Sequence, residues 1–277
     1  MTILLALASA IAFGAGDFCG GAATRRSDDL RVLLVSLPAG LCVLLPVAVF
    51  TGHWHAAQLA WGAIAGVAGG GGLLVFYRAL AMGPMSVVAP VSGLMAAVVP
   101  AAVGIAHGDR IGLTTVAGIV LCLIAICFVS IERGSGPVRL SGGPVLAALA
   151  GTSFGLFFVI LKLGDDGTLW PLAASKVSGF AVVVVVAVAR RRGPLALVRD
   201  RATLGIALLA GSLDMLGNTL YVLAARLGVL SVAGVLSSLY PASTVLLARL
   251  VYGERLRPVQ RVGLLIAVVG VGLVTTG

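Results

Sequence analysis

The chain repeats itself at a fixed offset. Residues 76–131 lie over residues 221–276 with a shift of 145 and no gap. Ala79 meets Ala224, Gly83 meets Gly228, Ser86-Val87 meets Ser231-Val232, Ser92 meets Ser237 and Gly118 meets Gly263. Apolar strings match often by accident, but the charged Gly108-Asp109-Arg110 falls on Gly253-Glu254-Arg255 in the same register, and that is hard to obtain by chance. Phe13-Gly14 falls on Phe154-Gly155 at a shift of 141, which extends the repeat to the first helix of each half. A duplicated apolar chain folds as two like units that must meet, and in a membrane such halves enclose a site between them.

The material of the repeat decides the solvent. Sixty per cent of residues are hydrophobic and 10% charged, with a mean hydropathy of +1.13. That lies outside the range of soluble domains. Ten runs are long enough to span a bilayer: 2–22, 31–51, 58–80, 86–106, 113–131, 144–162, 170–189, 203–225, 230–250 and 259–275. Each is about 20 residues, the length a bilayer-spanning helix needs. The runs do not alternate as barrel strands do, and backbone groups in hydrocarbon must bond within their own segment. The expectation is an all-α integral membrane protein of ten transmembrane helices. The first run lacks a basic leader and opens a unit that recurs in the second half, so it reads as a helix rather than a cleaved signal.

Five helices per half is an odd number, so the second half enters the membrane from the opposite side. The expected fold is two inverted five-helix repeats around a central cavity, residues 1–137 and 138–277, joined by a glycine-rich linker at 132–143. Loops after odd-numbered helices carry fifteen basic residues, and loops after even-numbered helices only Arg110, Lys162 and Arg226. By the positive-inside rule the odd loops are cytoplasmic and both termini lie outside.

The net charge of +9 does not indicate nucleic acid, because these arginines sit at helix ends facing anionic headgroups without interleaved aromatics. Cys19, Cys42, Cys122 and Cys127 lie within spans and lack metal-ligand spacing, which reads as packed thiols. His53-Trp54-His55 has no third ligand nearby and reads as an interfacial anchor. Gly62, Gly66 and Gly70 form a stripe on one face of the third helix, either a close packing seam or a segment beside a solute path.

The chain resembles the EamA-type branch of the drug/metabolite transporter superfamily. The resemblance rests on Gly14-Ala15-Gly16-Asp17-Phe18, on residues 77–90 (Tyr-Arg-Ala-Leu-Ala-Met-Gly-Pro-Met-Ser-Val-Val-Ala-Pro), and on the two Gly-Asp/Glu-Arg loops. It covers essentially the whole chain. It implies alternating access around a cavity between the halves and transport of small metabolites, often amino-acid export or drug efflux. It also implies both termini in the cytoplasm, opposite to the charge count.

An ionisable group at membrane depth is a functional candidate by default. Asp214 lies near the middle of the eighth run with Asn218 one turn on, and the repeat places it over Gly69. Buried there, it suits proton binding; the alternative is a structural bond to a neighbouring helix. Lys176 can snorkel to the interface, pair with Asp214 or meet a substrate carboxylate. Asp17 reads as a partner of Arg25 or Arg26 at the membrane surface, or as part of the site. Tyr77, Tyr221, Tyr240, Ser92 and Ser237 are further candidates for substrate or proton binding. Pro90, Pro100 and Pro241 are expected to interrupt their helices and so expose backbone groups to the cavity, or else to kink them.

The expectation is a secondary transporter in the cytoplasmic (inner) membrane that moves a small organic metabolite by alternating access. Export is the expected direction, and protons are a candidate coupling ion. Its partners would be that small-molecule substrate and the bilayer, with no cofactor, metal or nucleic acid. The alternatives are a passive facilitator and an intramembrane enzyme. The enzyme is disfavoured, since acid, base and nucleophile do not converge.

Overall fold

The structure is a computed structural model and describes residues 1–50, 52–82, 85–107, 112–129, 142–165, 167–190, 200–252 and 258–276. Among these the regular structure is helical. The elements are α1 (Thr2–Thr24), α2 (Asp29–Val49), α3 (Ala56–Met82), α4 (Met85–Ala106), α5 (Leu113–Val129), α6 (Gly142–Leu163), α7 (Trp170–Ala189), α8 (Arg201–Leu227), α9 (Leu230–Ser237), α10 (Tyr240–Tyr252) and α11 (Pro258–Thr276). The Gly108-Asp109-Arg110 and Gly253-Glu254-Arg255 loops lie outside the described residues, as does most of the expected linker.

Among the described residues six helices, α1, α2, α3, α6, α7 and α8, are long and apolar enough to cross a membrane. Leu250, Val268, Leu265 and Val185 stand exposed while Ser9, Ser92, Lys176 and Asn218 are buried. A surface more apolar than parts of its own interior is what a hydrocarbon solvent selects. Two helix starts, those of α2 and α8, are capped by aspartates. Asp28 accepts from the Leu30 amide, and Asp200 accepts from the Ala202 and Thr203 amides, satisfying donors the helix leaves open. The Thr203 hydroxyl and amide hold the Asp200 carboxyl below the usual carboxylate range.

The ninth apolar run is two helices, with the break at Ser238-Leu239. Pro241 brings no N–H to the carbonyl of Ser237 four residues back, which removes one rung of the ladder at the break. Pro90 and Pro100 behave differently from the expectation of interrupted helices, since both lie inside the continuous α4. Neighbouring helices and local adjustments tolerate proline within a membrane helix.

α1 packs along α8, α3 against α6 and α7, α2 against α8, α4 against α6 and α9, and α5 along α11. Small residues let the backbones approach. The Gly62, Gly66 and Gly70 stripe meets Pro171, Ser175 and Gly179 of α7, and a methyl at Gly70 would come within 2.5 Å of the Gly179 Cα. Gly66 faces the Ser175 carbonyl as Gly211 faces the Ser36 carbonyl, and Gly155 faces Val99 of α4 as Gly14 faces Ser243 of α10.

Candidate functional site

Between them the helices leave a cavity of about 700 Å³, counting the space open at its mouth. One wall is charged. Lys176 comes from α7 and its Nζ lies 2.6 Å from Oδ2 of Asp214 on α8. The two side chains keep 10% and 32% of their exposure, so the pair is withdrawn from bulk solvent without being sealed off. The same ammonium lies 5.9 Å from the centre of the Phe157 ring, within cation–π range. Asn218, one turn beyond Asp214, donates from Nδ2 to the Asp214 carbonyl at 2.7 Å.

Asp17 completes the charged wall from α1. It is half-buried, and no hydrogen bond or ion pair engages its carboxylate among the described residues. Neither Arg25 nor Arg26 pairs with it. α1 runs on to Thr24, so Arg25 stands eight residues further along the chain, about 12 Å of helical rise away. α1 instead lies against α8 closely enough that a methyl at Gly16 would sit 3.2 Å from the Asp214 amide. Asp17 and Asp214 therefore line the same two cavities from adjoining helices.

Much of the remaining lining is aromatic. Phe13 and Phe158 rings lie 5.9 Å apart, Phe157 and Phe158 5.3 Å apart, and Phe13 meets the Tyr240 ring edge-on at 6.4 Å. Tyr240 opens α10 just past the break, and its hydroxyl shares a 2.7 Å hydrogen bond with Ser92 Oγ of α4. Ser237 and Ser238 line the cavity at the break, and Ser238 Oγ is buried without a protein partner among the described residues.

A smaller cavity of about 340 Å³ adjoins the first and contains Tyr77, Gly16 and Ala210 in its lining. Asp17, Lys176 and Asp214 line both cavities, so the charged group stands between them. Thus Asp17, Lys176, Asp214, Asn218, Ser237 and Tyr240 share the larger cavity, and Tyr77 joins the charged residues from the smaller one. Ser92 stands behind Tyr240 rather than on the lining. Tyr221 lies apart, its ring 4.1 Å from that of Phe158, which walls it off from the larger cavity.

Sequence reasoning did not single out Phe157 or Phe158 and did not foresee a tie near the loop between α6 and α7. There Arg226 Nε lies 2.6 Å from Asp165 Oδ1, and the guanidinium also donates to the Gly167 and Thr168 carbonyls. Trp170 Nε1 donates to the Gly52 carbonyl at 2.9 Å, joining that loop to the one between α2 and α3. The available signal was Arg226 itself, one of three cations on a charge-poor face.

The model of the EamA-like transporter family matches residues 1–131 and 141–276. The chain belongs to the EamA-like transporter family. Membership makes this EamA-like transporter a multi-pass membrane protein that handles small solutes. A crystal structure described simply as that of a "protein" superposes with a TM-score of 0.74 at 16% identity, over 99% of this chain and 96% of its own. At that identity the likeness shows the fold alone. No curated protein matches the chain.

Proposed function

We propose that this EamA-like transporter crosses the cytoplasmic membrane ten times as two inverted five-helix repeats, 1–137 and 138–277, with α9 and α10 together forming the ninth crossing. It exports a small organic metabolite by alternating access, in exchange for protons. The observation that carries the reading is the charged group of Asp17, Lys176 and Asp214 held between two adjoining cavities. Ionisable groups are retained at membrane depth when a solute or proton pathway needs them.

Several contacts support the inverted repeat. The α3 seam on α7 has a like seam of α2 on α8, and Gly66 against Ser175 corresponds to Gly211 against Ser36. The two matched segments of the family model also divide the chain near the proposed boundary. Under the charge-count orientation, the tie of Arg226 to Asp165 closes the outer face, which suits a state open towards the cytoplasm.

A facilitator without coupling is the second reading. The closed pairing of Lys176 with Asp214 favours it, since a satisfied ion pair can be purely structural. Counterflow tests the alternating access, and dependence on a proton gradient separates the two. Proteoliposomes loaded with a metabolite pool should show saturable uptake of labelled pool members that unlabelled internal solute accelerates. Uptake that internal solute does not accelerate would remove alternating access.

A further inference from the structure

We propose that the cavity takes a monovalent organic ammonium with an aromatic or apolar body, its head on Asp17 and its body among Phe13, Phe154 and Phe158. This rests on the transporter reading above and names the substrate class for that site.

Charge comes first. With Asp17, Asp214 and Lys176 ionised, the wall carries one net negative charge, and Lys176 is already committed to Asp214 at 2.6 Å. A lone carboxylate so withdrawn from water either holds a proton or is matched by one positive charge, which an ammonium taking the proton's place supplies. An anionic solute would double the imbalance. A zwitterion would satisfy Asp17 with its amine but leave its own carboxylate without a cation, unless the pair of Lys176 and Asp214 came apart.

The cavity already holds an ammonium in this manner. Lys176 Nζ sits between a carboxylate and the face of Phe157, 5.9 Å from the ring centre. Asp17 repeats the carboxylate half of that arrangement with its own seat open. Phe13 lies one turn before Asp17 on α1, so ring and carboxylate share a helix face, and Phe158 packs on Phe13 at 5.9 Å. These rings supply the attraction for a cation and the apolar surface for its body.

The polarity is one-sided with respect to the repeat. Under the shift of 145, Asp214 and Asn218 correspond to Gly69 and Leu73, and under the shift of 141 Asp17 corresponds to Phe158. The charged head is thus held by α1, α7 and α8, with the hydrophobic body against Phe13 of α1 and the phenylalanines of α6.

A series with one aromatic body and three charges tests this. Purified full-length protein in detergent is titrated calorimetrically at neutral pH with phenethylamine, phenylalanine and phenylacetate. Phenethylamine should bind at least about tenfold tighter than phenylalanine, with phenylacetate weakest. Asp17→Asn should weaken the amine by about tenfold or more, while Asp17→Glu, which keeps the charge, should retain most of the affinity. Phenylalanine or phenylacetate binding as tightly as the amine, absence of amine binding, or an unchanged amine affinity in Asp17→Asn would each overturn the assignment. Counterflow of a neutral or zwitterionic solute would then leave the transporter standing without the amine. Absence of counterflow for every solute tried would remove the transporter reading itself.

Discussion

Lys176 on α7 and Asp214 on α8 meet at 2.6 Å, thirty-eight residues apart in sequence and side by side in the interior. Removing either partner strands a charge in a half-dry cavity. Lys176→Met or Asp214→Leu should each lower stability by about 3 kcal/mol, the low end for a buried pair because Asp214 keeps some exposure. The double variant should recover much of that loss. Thermal unfolding of the four proteins in detergent checks the cycle; additive losses would show that the two groups do not act as a pair.

Gly70 and Gly71 are neighbours on α3 with opposite surroundings. A methyl at Gly70 would come within 2.5 Å of the Gly179 Cα, whereas one at Gly71 meets nothing within 4 Å. Gly70→Ala should force α3 from α7 and cost about 1–3 kcal/mol. Gly71→Ala should be neutral or gain up to about 1 kcal/mol from helix propensity. Melting temperatures of the two variants should therefore move apart.

The Ser92 and Tyr240 hydroxyls join α4 to the start of α10 across a broken helix. Tyr240→Phe and Ser92→Ala should each destabilise by about 1 kcal/mol. The double variant should lose less than the sum. Equilibrium unfolding of the three variants reads this, and strictly additive losses would place the bond's contribution near zero.

Arg226 holds the loop between α6 and α7 through Asp165, Gly167 and Thr168. Arg226→Gln should release that face. With the native cysteines replaced, a cysteine introduced by Asn218→Cys should react several-fold faster with a charged thiol reagent applied from the terminal face when Arg226→Gln is added. An unchanged rate would show that these contacts do not control access.

The helices were legible because bilayer thickness sets their length. The seventh run was read as 170–189 and is the helix Trp170–Ala189. Proline was a poorer guide. Pro90 and Pro100 carry the same local signal as Pro241, yet α4 runs through both and the ninth run breaks. The local sequence alone does not separate the three prolines.

In the site, Asp214, Lys176 and Asn218 were legible from their rarity at depth. Which way Asp17 faces was not, because it depends on how closely Gly16 lets α1 approach α8. The aromatic wall was hidden for a related reason. Phe157 and Phe158 are ordinary residues of an apolar helix until the fold brings Phe158 against Phe13 of α1.

The central claim is that solute crosses through the cavity lined by Asp17, Lys176 and Asp214 and is driven there by protons. Its most direct test is accumulation from a metabolite pool into proteoliposomes with and without an imposed proton gradient, comparing the native protein with Asp214→Asn. The account predicts gradient-driven accumulation in the native protein and its loss in the variant. Equal, gradient-independent flux in both would contradict it and leave Asp214 as a packing partner of Lys176 in a facilitator.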